Sequence, residues 1–492
     1  MALRITVHGH FYQPPREDPW TGRIELQPDA APARDWNERV YTECYEPNAC
    51  VTLPGPDGGR VVNNFERISF NVGPTLMDWM LKEHPETHER IVEADRTSAT
   101  RLGHGNAIAQ AFHHTILPLS GVRDIRTQVR WGLADFRFRF GRDAEGLWLP
   151  ETAANNAVLA VLIEEGVRFT ILAPHQAHRW RDGDGNWVEE GTPDARVPYR
   201  YLHPDGSGRS LSVFFYDGEL ARAIAFENLG SSSEDFVAVF EQRSGETDGL
   251  VHAATDGETY GHHHKFSDVG LAQALFVDAE ARGIEVTNYA AFLATDPAHR
   301  EVQIKGGEGT SWSCEHGLGR WMRDCGCQTY GPDGWKQAWR GPLRAGLEVI
   351  KWAVDESFDR FAVPVLVDPW GTRDRYVHVV IGAVSLDEFL EAETAGLTDE
   401  DALRQAAMLL EAQHNSMRMF TSCGWFFYDV SRLESVQILR YAARALDILE
   451  QLGLPLPEDA YMPILEEAAS NDPSEGTAAT ILKDILATSL RR

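Results

Sequence analysis

Two carboxylates stand at the ends of two apolar runs that lie far apart in the chain. The run Gly146-Leu147-Trp148-Leu149 breaks on Pro150 and then presents Glu151, and the run Leu250-Val251-His252-Ala253-Ala254-Thr255 ends on Asp256. Carboxyl groups at the ends of two strands can work on one acetal carbon, one as nucleophile and the other as acid and then base. Either residue alone reads as a helix cap or a turn residue, and only the pair with its neighbours points to chemistry. Pro150 removes a backbone donor, and Trp148 offers a flat apolar face of the kind that stacks on sugar rings. Asp256 leads directly into Gly257-Glu258 and then His262-His263-His264.

Short apolar runs supply the elements that would position this pair. Strands are expected at Arg4 to His8, Ile68 to Val72, Gly146 to Leu149, Arg168 to Leu172, Leu211 to Tyr216, Val251 to Thr255 and Glu285 to Thr287. Helical spacing lies between them, as in Arg123 to Phe140, Asn155 to Glu165, Phe236 to Gln242 and Val269 to Arg282. This alternation predicts an α/β fold, a parallel sheet with crossover helices closed or nearly closed into a TIM-like barrel. In such barrels functional groups gather at the carboxyl ends of strands, and here those ends carry His8, His10, Asn71, Glu151, Asp217 and Asp256. His8 and His10, at i and i+2, share one side of a strand. That spacing suits two metal ligands or two groups that hydrogen-bond sugar hydroxyls and orient the carboxylates, with His104, His113, His114 and the run His262 to His264 as further partners for a metal.

Two long connections, 12–64 and 180–209, interrupt the barrel pattern and read as lids or binding walls. From about Trp335 helices follow alone, at Leu343 to Phe361, Leu386 to Ala395, Asp399 to Met417 and Leu433 to Leu452, with a hairpin expected around Val363 to Ile381. The expected organisation is a catalytic barrel over 1–334 and a C-terminal, mainly helical domain over 335–492. Within the latter, Met419 to Asp429 concentrates aromatic residues, and Trp425 is a candidate to stack on an acceptor sugar.

The chain has 492 residues, 43% of them hydrophobic and 10% aromatic, enough for a large core. Its 46 basic and 74 acidic residues leave a net charge of -28, which repels polyphosphates and anionic membrane surfaces. Nucleic acid and membrane partners are therefore not expected, and a neutral or cationic ligand is favoured. The N-terminal run from Met1 lacks the pattern of a signal peptide, and the six cysteines are too sparse for a disulfide scaffold, so a cytoplasmic protein with reduced thiols is expected. Cys314, Cys325 and Cys327 lie near one another with His316 among them, but Cys-x10-Cys-x-Cys is not a standard zinc spacing and no metal is expected there.

Four stretches together resemble regions of glycoside hydrolase family 57, in the same order: His8-Gly9-His10-Phe11-Tyr12-Gln13-Pro14, Gly146 to Glu151, Thr255-Asp256-Gly257-Glu258, and Ser311 to Trp321. The resemblance implies a (β/α)7-type distorted barrel with a helical domain over its cleft, no cofactor, and a retaining activity on the α-linked sugars of α-glucans, either hydrolysis or transfer and branching. Carried over residue by residue, it makes Glu151 the nucleophile and Asp256 the acid/base. It also places His10, Trp312 and His316 at the sugar-binding rim, joined by His8, Trp148, Asp217 and Glu258 as further substrate-binding candidates. Phe11-Tyr12 intervene where the family usually has glutamine after the second histidine, and Gly105 to Ile108 has Ala and Ile where a glutamate is often found. Those departures bear on which sugar is bound rather than on the chemistry. Two other readings stay open at this level: a zinc-dependent deacetylase-like hydrolase with His8, His10 and an aspartate as ligands, and a catalytically silent glycan-binding protein.

Overall fold

Runs of β-branched and aromatic residues become strands buried on both faces, the pattern of a parallel sheet covered by helices. The computed structural model describes residues 2–55, 59–245 and 249–489. Seven strands follow in order: β1 (Arg4–Phe11), β2 (Ser69–Val72), β3 (Ala109–Gln110), β4 (Leu147–Trp148), β5 (Phe169–Leu172), β6 (Ser210–Phe215) and β7 (Leu250–Asp256). β1 pairs in parallel with β7 on one edge, which sets His10 beside Asp256, and with β2 on the other, which sets His8 beside Ser69. The ring continues through a bridge from Phe70 to Ala107, from β3 to β4, from Gly146 to Phe169, and from β5 to β6. It closes where the Asp217 amide, just past β6, donates to the His252 carbonyl in β7 at 3.0 Å. The result is a (β/α)7-type, TIM-like barrel.

Parallel neighbours need crossovers, and helices Pro85–Leu102, Asn156–Glu164 and Gly218–Phe226 are among those that supply them. Asn155 and Asp217 start the last two by accepting from Val158 N and Leu220 N. Glu285 to Thr287, expected as a barrel strand, instead pairs only with Arg4 and Ile5 at the amino end of β1. Its place in the ring belongs to β3, two residues long. The connection 12–64, apart from residues 56–58, which lie outside the described residues, carries short helical turns from Trp36 to Ala49 and a hairpin of Val51–Leu53 with Arg60–Val62. The stretch 180–209 adds antiparallel strands that extend β6 outward.

The chain divides into two compact units: Met1–Gln13, Leu26–Gln110 and Phe136–Gly307 form the barrel, and Pro14–Glu25, Ala111–Asp135 and Glu308–Arg492 form the second. The second is mainly helical, with Arg340–Phe361, Glu400–Arg418 and Leu433–Gln451 as its long elements and a core that includes Trp131, Phe358, Leu409 and Met417. A division at 334 leaves out the two early segments, which are tied in by long-range bonds such as Gln437 Nε2 to the Glu17 carbonyl at 2.8 Å and Ser422 N to the His114 carbonyl at 2.9 Å. The hairpin expected at 363–381 is a pair of short helices, Pro369–Arg375 and Val377–Val380. Pro369 sits at the first turn of the former, and Asp368 caps it by accepting from Gly371 N, so a strong local start signal overrides the β-branched residues. No helix among the described residues is long and apolar enough to cross a membrane.

Candidate active site

Glu151 leaves the end of β4 on a strained turn. Its φ is 56° and that of Thr152 is 48°, so two consecutive residues with side chains occupy the left-handed region, the second of them β-branched. Such a conformation persists only when its surroundings over-determine it. Here Thr152 N donates to the Leu149 carbonyl at 2.8 Å and Ala153 N to the Pro150 carbonyl at 2.9 Å. The buried Gln176 side chain grips the turn from behind: its Oε1 accepts from Thr152 Oγ1 and from Ala173 N, both at 2.9 Å, while its Nε2 donates to the Thr152 carbonyl at 2.8 Å.

At the end of β7, Asp256 is solvent-exposed and a 3-10 turn, Gly257–Thr259, follows it. Gly257 is required there, since a Cβ would meet the Phe11 ring at 2.4 Å. The turn buries Glu258, whose Oε1 accepts from the Tyr12 amide at 2.9 Å and from the Tyr45 hydroxyl at 2.6 Å. Burial outweighs those two bonds and raises the Glu258 carboxyl from 4.5 to about 7. The Asp256 carboxyl is also held well above the usual carboxylate range, by the protein crowded around it, then by the charge of Glu258, then by that of Glu151. Water at the exposed side chain tempers the first cause, and the two neighbouring carboxylates fix the direction. Tyr216, at the end of β6, is close enough for the Asp256 charge to add to the effect of burial in raising its phenol.

Beneath the carboxylates lies a layer of neutral histidines organised by Asn71. Asn71 Nδ2 donates to His10 Nδ1 at 2.8 Å and to Gln110 Oε1 at 2.6 Å, and its Oδ1 accepts from His8 Nε2 at 3.1 Å. Ser69 Oγ is 3.1 Å from the other nitrogen of His8. Trp148 stacks on both imidazoles, with ring centroids 4.7 Å from His8 and 5.2 Å from His10. Burial lowers both histidines from 6.5 to about 3, so they are neutral at physiological pH.

The barrel therefore gathers His8, His10, Trp148, Glu151, Asp256 and Glu258 around the ends of three strands. Trp148 is fully buried, and its faces are given to histidines rather than left open as the sequence suggests. Asp217 has other partners: its carboxylate caps the following helix and takes Arg243 Nη1 at 3.0 and 2.8 Å. Trp312, His316 and Trp425 belong to the second unit. Trp425 is wholly buried there, donating to the Arg340 carbonyl at 3.2 Å and lying parallel to Phe420, a packing position rather than an open stacking face. Tyr45, Gln110, Gln176 and Tyr216 escape a sequence reading. Only Tyr216 carried a usable signal, as the last residue of an expected strand.

Residues 34–305 match the model of glycosyl hydrolase family 57, and residues 335–491 match a domain of unknown function (DUF3536). An α-amylase of Pyrococcus abyssi is 23% identical over 213 residues, 41% of this chain and 29% of the relative, and a 4-α-glucanotransferase of Thermococcus litoralis is 23% identical over 216 residues, 41% of this chain and 28% of the relative. The matched region thus spans under a third of each of these relatives. Among solved structures, an exo-type maltose-forming amylase from Pyrococcus sp. ST04 superimposes with a TM-score of 0.71 at 18% identity, covering 95% of this chain and 83% of the other. A branching enzyme of this family from Pyrococcus horikoshii gives 0.56 at 13% identity, covering 99% and 95%. These likenesses establish the fold, and because the family model covers more than half of the sequence, the chain belongs to glycosyl hydrolase family 57.

Proposed function

We propose that the protein cleaves α-glycosidic bonds of α-glucans by double displacement, with Glu151 as nucleophile and Asp256 as acid and then base. The observation that carries this reading is the pairing of a strained, firmly held Glu151 turn with an Asp256 carboxyl held above the usual range by burial, by Glu258 and by Glu151. An ionised Glu151 attacks the anomeric carbon while Asp256 donates its proton to the leaving oxygen. The glycosyl-enzyme ester removes one negative charge from beside Asp256, which lowers its proton affinity and converts it to the base of the second step. Water then gives hydrolysis, and a sugar hydroxyl gives transfer or branching. The family's named relatives, an amylase, a glucanotransferase and a branching enzyme, support the substrate class. The chemistry uses the chain's own carboxyl groups and requires no cofactor. The deacetylase-like reading needs a free nitrogen on His8, and both of its ring nitrogens are bonded to Ser69 and Asn71.

The test is incubation with maltooligosaccharides and amylose, with separation of products by length, branch analysis, and NMR of the anomer first released. Products of retained α-configuration that disappear in Glu151→Gln support the proposal. The β-anomer as first product, or turnover by Glu151→Gln equal to that of the parent, sinks it.

A further inference from the structure

The second unit contains a stretch with almost no regular structure, 308–339, that nevertheless converges four soft ligands. The only turn of helix in it among the described residues is Gly319–Trp321. Cys314 and His316 sit on one limb, Cys325 and Cys327 on the other, and one ligand atom from each lies within 4.8 Å of all the rest. Cys314 Sγ is 3.9 Å from Cys325 Sγ, and Cys327 Sγ is 3.5 Å from His316 Nδ1. Tetrahedral zinc, with Zn–S of about 2.3 Å and Zn–N of about 2.0–2.1 Å, places sulfur atoms about 3.8 Å apart and sulfur and nitrogen about 3.6 Å apart. Both measured edges match. A disulfide, with S–S near about 2.05 Å, would use only two of the four groups and explain neither Cys327 nor His316.

The cradle is built by residues other than the ligands. Gly319 lets the two limbs touch, since a Cβ there would lie 2.8 Å from the Cys325 Cβ and 3.3 Å from the His316 Cβ. Gly317 and Gly326, with φ of 74° and 80°, turn the chain directly after His316 and between the two cysteines of the second limb. Ser311 Oγ fastens the first limb through the Gly317 carbonyl at 2.8 Å, and Arg340 Nη1 fastens the second through the Cys327 carbonyl at 2.6 Å. The Arg340 guanidinium is fully buried and lies within electrostatic range of all three thiols, where it would offset the net negative charge of a zinc bound by three thiolates and a neutral imidazole.

We propose that Cys314, His316, Cys325 and Cys327 form a closed structural zinc site that pins the 308–339 segment of the second unit. Three thiolates and one imidazole select zinc over calcium or magnesium, which take oxygen ligands. With all four positions filled by protein, the site holds its loop and leaves no coordination position for a substrate. Binding replaces three S–H protons with one Zn2+, so the three protons pass to solvent and affinity falls as pH falls. The one-residue gaps within each limb, instead of the usual two to four, hide the site from a spacing rule. It also gives His316 a metal-holding employment through Nδ1 in place of a sugar-binding one.

The full-length chain, purified under reducing conditions without chelators or a metal-affinity tag, is assayed for metals by mass spectrometry. About one zinc per chain is expected, falling below about a tenth in Cys327→Ser and in Cys314→Ser. Co2+ added to the zinc-stripped chain should give thiolate-to-cobalt charge transfer in the near ultraviolet and the intense visible bands of a tetrahedral site, both lost in Cys327→Ser. Should the variants not fold, the cobalt spectrum of the parent chain still decides. Parent protein that takes up neither zinc nor tetrahedral cobalt overturns the proposal, as does full zinc retention by a folded Cys314→Ser, Cys327→Ser double variant. A Cys314–Cys325 disulfide mapped in the reduced preparation would also overturn it.

Discussion

Glu258→Gln probes the electrostatics of the barrel mouth with little change of shape. Both hydrogen bonds to Glu258 go to Oε1, from the Tyr12 amide and the Tyr45 hydroxyl, and a glutamine carbonyl accepts both. The variant therefore removes a titrating proton and a charge while leaving the packing intact. Glu258 titrates near 4.5 when unfolded and at about 7 when folded. Below the lower value both states carry the proton; as pH rises through the upper one the buried group must ionise, and stability present at low pH is lost. At about 1.4 kcal/mol per pKa unit, the shift corresponds to about 3 kcal/mol. Unfolding of parent and variant by urea at about pH 4 and about pH 8 should show the variant gaining roughly that much on the parent between the two conditions. The difference between the proteins isolates Glu258 from every other titrating group.

The same substitution should move catalysis. The Glu258 charge is one of the causes that hold the Asp256 carboxyl up, so removing it lowers the Asp256 proton affinity and shifts the alkaline limb of kcat/KM against pH downward. The raised Glu258 carboxyl and its role beside Asp256 would be refuted together if the two proteins gave parallel stability curves and superimposable pH profiles.

Glu151→Gln should fold as the parent does and lose several orders of magnitude in kcat, measured on a maltooligosaccharide, because no other group replaces the attacking carboxylate. Asp256→Asn should lose far less rate on substrates with good leaving groups than on natural glucans; equal losses at the glycosylation step would remove Asp256 as the acid. Gln176→Leu takes away three buried hydrogen bonds at about 1 kcal/mol each, so about 3 kcal/mol of stability should disappear in urea unfolding, with a fall in kcat exceeding any change in KM as the Glu151 turn relaxes. His8 and His10, lowered to about 3, should show no titration of their ring proton signals by NMR between about pH 5 and pH 8. A transition near neutral pH in either would mean that the layer under the carboxylates is not dry.

Much of the barrel is legible in the sequence because its strands are apolar runs long enough to stand out. Six of the seven expected strands join the ring, and β3 escapes because Ala109 and Gln110 are too few to show a period. Glu285 to Thr287 misleads for the opposite reason: its composition is that of a strand, and only pairing decides that it ends beside Arg4. In the second unit, Asp368-Pro369 starts a helix where Val363 to Val367 suggests a strand, a local cap overriding propensity. The early segments 14–25 and 111–135 join the helical unit through contacts hundreds of residues away in sequence, for which no local signal exists.

The site divides along the same line. Glu151 and Asp256 can be found because a strand that stops at a carboxylate is a pattern in one dimension. Their properties cannot, because each depends on a residue supplied by another strand or loop. The Glu151 turn depends on Gln176, twenty-five residues on, whose side chain replaces the bonds that a glycine-containing turn would not need. The neutrality of His8 and His10 depends on their burial under Trp148, and the raised Asp256 carboxyl depends on the protein packed around it and then on the charges of Glu258 and Glu151. Glu258 shows the limit most directly: beside Asp256 in sequence it reads as one more polar group at a sugar-binding rim. Once the fold buries it, its carboxyl ionises only near about 7 and its charge acts on Asp256.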